Sequence, residues 1–213
     1  NVFQVTDAGE LALADYAYAG RVAINTALVM ATGSIGAAAV SVLRSGKVDS
    51  LMCANGLLAG LVSVCSIAAV ASWPATLVVG FVAGVQVVLV FDLLEKVGID
   101  DVCAVFPVHG SAGALSALAY PFVNTTSAFS ISQLGVQVVG VVVLAAWAAI
   151  ITAAIYGLLK ALGWARVSEE HEREGLDSSE HGIVTYPEFG DNSVSTPGRG
   201  STTAADSGVA DDD

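Results

Sequence analysis

Asp100-Asp101-Val102-Cys103-Ala104-Val105-Phe106-Pro107-Val108-His109-Gly110-Ser111-Ala112-Gly113 decides how the rest of the chain is read. Two carboxylates open it, an apolar segment follows, and one imidazole lies about two helical turns inside. No further Asp, Glu, Lys, Arg or His occurs until Lys160. An ionisable group within a membrane span is costly and generally faces a cavity or a bundle interior. Pro107 removes one backbone donor just before His109, and Gly110 and Gly113 strip side chains from the turn after it. This predicts a bent, thin-walled helix with the imidazole at the bend. The residues alone leave two readings of His109 open: a pore-lining or proton-handling group, or a neutral His hydrogen-bonded to a neighbouring helix.

Composition sets the class around that stretch. Hydrophobic residues make up 54% and charged residues 13%, with 22 glycines in 213 positions, which is too apolar and too Gly-rich for an ordinary soluble domain. Residues 1–164 hold eight acids against five bases, whereas residues 165–213 hold twelve against three. A near-neutral membrane body with an acidic tail follows. That tail argues against nucleic acid as a partner, because phosphate neutralisation needs Lys and Arg. Cys53, Cys65 and Cys103 sit in apolar runs and read as small buried residues, with no disulfide framework or metal site implied. No Walker loop, zinc spacing, nucleophile elbow or dinucleotide fingerprint occurs, so neither an enzyme nor a cofactor is expected.

Five apolar runs, at 21–43, 51–72, 75–95, 102–122 and 130–162, each approach the roughly twenty residues a helix needs to cross a bilayer. Short links between them predict antiparallel neighbours. Residues 1–20 read as an exposed connection leading into a helix, with no basic n-region of a signal peptide. Arg44, Lys47, Lys96, Lys160 and Arg166 fall on one side of five alternating spans, leaving Arg21 on the other. The positive-inside rule then puts the C-terminus in the cytoplasm. Gly33/Gly36, Gly56/Gly60, Gly80/Gly84 and Gly110/Gly113 are spaced for close helix contact. Asn25, Thr26, Asn55, Gln86 and Gln137 are uncharged polar groups within spans, most of them expected to bond between helices. Beyond the spans, Glu169 four before Arg173 supports a short helix, and Gly175 reads as its stop. The resulting division is a connection (1–20), a five-helix membrane domain (21–162), a tail with apolar anchors (163–189), and an acidic stretch expected to be disordered (190–213).

Asp100-Asp101 leading to Phe106-x-Val108-His109-Gly110-x-x-Gly113 resembles the second histidine segment of the Amt/Mep/Rh ammonium transporters. Glu170-x-Glu172-Arg173-Glu174-Gly175-Leu176-Asp177 resembles the cytoplasmic signature of the Amt branch. Arg21 to Thr26 and Ala54 to Val62 are weaker matches in the same order, so the resemblance covers roughly residues 10–188. It implies an all-α membrane protein whose five helices correspond to the C-terminal half of an eleven-helix inverted-repeat transporter. The chain would then be a fragment carrying half a pore. The partner histidine, an outer aromatic recruitment site and a phenylalanine gate would lie upstream of Asn1.

The resemblance further implies passage of ammonium nitrogen as ammonia past His109, with Asn55 and Phe106 beside the path. Asp100, Asp101, Pro107, Gly110 and Gly113 would shape the segment. Arg173, Glu174, Gly175, Leu176 and Asp177 would form a regulatory tail contact. Its implied partners are a PII-type nitrogen-signalling protein at the cytoplasmic face and two further copies in a homotrimer. Its implied place is the lipid bilayer of the plasma membrane. The chain departs from the family pattern at Val102 and Ala104, where many relatives have Pro and a further carboxylate, and at Pro107. Two alternatives stand beside transport: a non-conducting regulatory or interaction subunit, and an Rh-type gas channel.

Overall fold

Thirty residues without a proline make helix α1 (Tyr16–Ser45), the longest element against which others pack. Its hydroxyls fold back on its own turns: Thr26 Oγ1 donates to Val22 O at 2.7 Å, Thr32 Oγ1 to Leu28 O at 2.9 Å and Ser41 Oγ to Ala37 O at 2.9 Å. Such back-bonding satisfies a polar group inside an apolar helix without a second partner. Thr26 therefore bonds within its own helix and not between helices.

The computed structural model describes residues 3–5, 11–13 and 16–183, which fall into two compact units, 1–150 and 151–213. Ahead of α1, β1 (Phe3–Val5) and β2 (Leu11–Leu13) pair antiparallel with Gln4 opposite Ala12. The reading of residues 1–20 as a plain connection did not contain this hairpin.

Helix α2 (Ser50–Ser63) starts at Asp49, whose side chain accepts from Met52 N at 3.0 Å. Helix α3 (Trp73–Lys96) opens with Pro74 in its first turn, where a missing N–H costs nothing. Just past its end at Lys96 stands Gly98, whose φ of +79° few other residues adopt cheaply. A π-helical segment (Phe106–Ser111) runs directly into α4 (Ala112–Val123), and α5 (Ile131–Ala161) follows. Among the described residues, α1, α3 and α5 are long and apolar enough to cross a membrane.

The run 51–72 is not one helix. α2 stops at Ser63, and the chain continues in tight turns, with Cys65 N bonding Val62 O and Ile67 N bonding Val64 O. The cause lies in the neighbours, which bind this backbone better than a helix would. Asn25 Nδ2 donates to Ala68 O at 2.9 Å and Ala71 O at 3.1 Å, and Ser116 Oγ accepts from Ser66 N at 3.0 Å. Thr125 N and Oγ1 both reach Val70 O, and Ala71 forms a bridge with Asn124. The run 102–122 is likewise shorter than expected and begins at Phe106.

Packing centres on α1, which packs against both α2 and α3, and these two also meet each other. A Cβ built at Gly33 would overlap the Gly56 carbonyl oxygen, and one at Gly84 would overlap the Gly33 carbonyl oxygen. Backbone meets backbone there, so the small-residue spacing does set the helix separation. Two apolar clusters fill the remainder, one around Ala59, Ala83, Val87 and Val108, the other around Val29, Ile67 and Val79. In the second unit, α6 (Glu169–Glu174) and α7 (Leu176–Ser179) form a short turn. The expected disorder of 190–213, and the anchors Tyr186 and Phe189, lie outside the described residues.

Gly84→Ala is expected to destabilise the bundle by about 1–3 kcal/mol through overpacking, whereas Gly113→Ala, whose Cβ would meet only Val62 Cγ1 at 3.8 Å, leaves it unchanged. Thermal unfolding of the two variants in one detergent checks the difference.

Candidate functional site

The segment holding His109 is built from its N-terminal side. Asp101 Oδ1 accepts from Val105 N and Oδ2 from Phe106 N, both at 2.8 Å, so one carboxylate covers two free amides at the helix start. Asp100 is exposed, and the capping belongs to Asp101. Between cap and helix, buried Ala104 sits at φ +57°, a region an L side chain enters at a cost of about 1–2 kcal/mol. Its carbonyl takes the Val108 amide at 3.0 Å.

Pro107 does not simply kink an α-helix. Residues 106–111 widen into one π turn, the form such insertions usually take inside helices and often at functional sites. Pro107 and Val108 face inward and are buried, while Phe106 is 54% exposed and His109 is exposed. Gly110 is required by its own turn: a Cβ there would lie 2.7 Å from Phe106 Cδ2. Gly113 meets no such limit, so its predicted role in close approach is not seen.

The His109 ring makes no hydrogen bond or ion pair among the described residues. Polar groups gather behind it instead. Gln86 Nε2 donates to Pro107 O at 3.0 Å, and Ser111 Oγ lies 2.6 Å from Gln86 Oε1 and 2.8 Å from Pro107 O. Asn55 is 6% exposed, and its Nδ2 has no partner among the described residues. A buried donor left unmade is costly. Sequence reasoning singled out Gln86 only as a polar residue within a span; its spacing gave no pointer to Ser111, which lies on another element.

Two cavities, of about 400 and 340 Å³, open at opposite ends of α1. Ser41, Arg44 and Asp92 line the first, with Arg44 and Asp92 in direct ion-pair contact. Arg21, Asn25 and Trp73 line the second. Neither is lined by His109.

The tail turn is built as its residue types predict. Ser168 caps α6 by accepting from His171 N at 3.2 Å, and Arg173 Nη2 meets Glu169 Oε1 at 2.5 Å. That contact uses one guanidinium nitrogen, not the two-point geometry available to Arg. Gly175, at φ +95° and ψ 132°, breaks the chain between α6 and α7. Glu174 and Leu176 flank the break, with Leu176 42% exposed, and Asp177 O takes the Ile183 amide at 2.8 Å. His171 Nδ1 lies 2.6 Å from Glu180 Oε1. That hydrogen bond is the main reason the imidazole titrates above its ordinary value; desolvation opposes it, and the charges of Glu180, Glu174 and Glu170 add to it.

A family model described as Ammonium Transporter Family matches residues 7–186. The chain is 52% identical over 193 residues to "Ammonium transporter Amt2" of Haloferax mediterranei, covering 88% of this chain and 42% of that protein. It is 41% identical over 184 residues to "Ammonium transporter Amt2" of Methanocaldococcus jannaschii, covering 84% and 41% respectively. The chain thus spans about two-fifths of the length of these curated relatives. Among solved structures, "Sensor Amt Protein" superposes with a TM-score of 0.74 at 23% identity, covering 79% of this chain and 43% of that one. Candida albicans Mep2 gives 0.65 at 22% identity, covering 72% and 37%. At those identities the superpositions speak for the fold.

Two outcomes follow from the geometry. Asp101→Ala, which uncovers the Val105 and Phe106 amides, is expected to cost about 1–2 kcal/mol of local stability, read as faster hydrogen exchange at those amides. In the tail, a raised histidine value means the His171–Glu180 contact is complete below about pH 6.5 and is lost as pH rises through the raised value. Amide exchange at Ser179 and His181 should therefore accelerate with pH beyond its intrinsic trend, and Glu180→Gln should remove that excess.

Proposed function

The chain belongs to the ammonium transporter family, and from that premise we propose that it forms part of a path carrying ammonium nitrogen across a membrane, with His109 as a pore imidazole. It is a multi-pass membrane protein of the Amt/Mep fold, and a transporter class is not an enzyme class. The observation that carries the residue assignment is the state of His109: exposed, without a hydrogen-bond partner among the described residues, and on a π turn in an otherwise apolar segment. An ionisable group so placed in an intramembrane segment is functional by default.

Imidazole suits this work chemically. Neutral, it offers one nitrogen as donor and the other as acceptor, so it can hold a neutral amine and pass a proton. A low-dielectric path favours ammonia over ammonium, since desolvating the cation is far more expensive. Nitrogen would cross as ammonia while its proton moves separately along imidazoles. A fixed ammonium in place of His109 would repel the substrate cation. Phe106, three residues before His109 in sequence, would supply an apolar wall that keeps water from competing. The unmade Asn55 Nδ2 donor could be met by the ammonia lone pair.

The tail is proposed to lie in the cytoplasm of a plasma-membrane protein and to be read by a PII-type protein; a homotrimer is the assembly expected. The support is local and chemical. Arg173 is already ordered by Glu169, and Gly175 occupies a conformation a branched acidic residue enters at a cost. Leu176 leaves an apolar side chain free to anchor.

In a full-length context, His109→Ala is expected to leave the fold intact and to change ammonium uptake or its proton coupling. Uptake at normal rate and selectivity by that variant, assayed in cells lacking their own ammonium uptake, would sink the pore reading. Gly175→Asp is expected to abolish or uncouple uptake in the same assay, and unchanged uptake would show that the turn has no regulatory part.

A further inference from the structure

His109 is held in place through its backbone, since its ring touches no hydrogen-bonding group among the described residues. We infer that Gln86, on the neighbouring helix α3, together with Ser111 is the device that positions His109. The two groups bracket it: Pro107 lies two residues before and Ser111 two residues after. Gln86 Nε2 donates to Pro107 O, and Ser111 Oγ stands within reach of both Gln86 Oε1 and that same carbonyl. The amide orientation is settled by chemistry. Pro107 O can only accept, so the Gln86 nitrogen faces it and the Gln86 oxygen faces the hydroxyl. Ser111 has one proton for two acceptors 2.6 and 2.8 Å away, so it is shared between them.

The closed triangle fixes what a π turn leaves loose. Gln86 Nε2 and Ser111 Oγ both reach Pro107 O, so the carbonyl inside the turn is tied at once to α3 and to the turn's own last residue. Without the triangle the widened turn has reason to return to α spacing. That change would rotate the flanking stretches by about 100° relative to one another, one residue's worth of helical turn. His109 lies inside that turn and would be re-aimed. α3 resists the motion because Val87 and Val88, beside Gln86, are buried in the same cluster as Val108. Gln86 and Ser111 need not touch substrate. They act through His109, and only the consequence for transport rests on the pore reading above.

Diethyl pyrocarbonate modification, followed residue by residue by mass spectrometry on the protein in lipid nanodiscs, reads the placement of His109 without any transport. Gln86→Leu and Ser111→Ala should change the His109 modification rate in the same direction, with His171 and His181 unchanged as internal standards. The double variant should add nothing, because either substitution opens the triangle, and Ser111→Thr, which keeps the hydroxyl, should restore the parent rate. Uptake by the two disrupting variants in a full-length context should fall about tenfold in maximal rate with KM held, as expected when a reacting group is misplaced. An unchanged His109 rate in folded Gln86→Leu and Ser111→Ala overturns the inference. So does a Thr variant that behaves like Ala, or failure of both variants to fold, which would make the triangle a packing device only. A shifted His109 rate alongside normal ammonium uptake by His109→Ala would leave the positioning standing and remove the pore reading.

Discussion

In an apolar bundle every backbone N–H and C=O must find a partner inside the protein, and the arrangement of this chain follows from how that demand is met. Where the helices run unbroken, in α1, α3 and α5, they meet it alone. Two of the stretches between these elements that depart from regular helix are supplied with side chains brought from elsewhere. The turns at 64–71 take Asn25 from α1, Ser116 from α4 and Thr125 from the loop beyond. The segment around Pro107 takes Asp101 from its own approach and Gln86 from α3. Apart from the Asp101 carboxylate at the outer approach, uncharged amides and hydroxyls do this work. A buried charge would carry a desolvation penalty that a single backbone carbonyl does not repay.

The same demand explains why the glycines lie where they do. Asn25 reaches Ala68 O and Ala71 O only if α1 lies close to the stretch following α2. Gly33 against Gly56 and Gly60 against the Val29 carbonyl bring α1 and α2 to backbone contact, and Gly84 against Gly33 does so for α3. Close packing and polar satisfaction are therefore one constraint here. Larger residues at Gly33 or Gly60 would lengthen the Asn25 bonds as well as crowd the interface.

How far this could be read from residues depended on whether the cause was local. The apolar runs of α1, α3 and α5, the Glu169–Arg173 pair and the Gly175 break are local, and their positions follow from residue type and spacing. The hairpin of β1 and β2 was not legible, because two runs of three residues carry too little alternation to stand out. The early end of α2 was not legible either. Its run of Val, Ile and Ala continues to residue 71 with no breaker, and the helix stops because Asn25, 43 residues earlier, binds Ala68 O. Pro107 announced a bend but not its form. The turn is tied to α3 by Gln86, 21 residues back on another helix, which donates to Pro107 O, and nothing local announces that contact. Gly110, expected to face a neighbouring helix, instead makes room for Phe106 in its own turn.

The two irregular stretches also differ in a way that bears on function. The turns at 64–71 are covered from several sides, and Ile67 at their centre is fully buried. The segment at 106–111 is fastened only on its inner side, through Pro107, Val108 and Ser111, while Phe106 and His109 point away. Ala104 just ahead of it keeps a left-handed conformation that a non-glycine residue holds only when its surroundings insist. Strain beside a widened turn is a state that packing must maintain, and it is maintained from one face. That face holds the backbone, and the other carries an imidazole that makes no hydrogen bond among the described residues. For the pore role proposed above, such a placement would let His109 bond a passing amine and then release it, which a histidine locked into an interhelical hydrogen bond could not do.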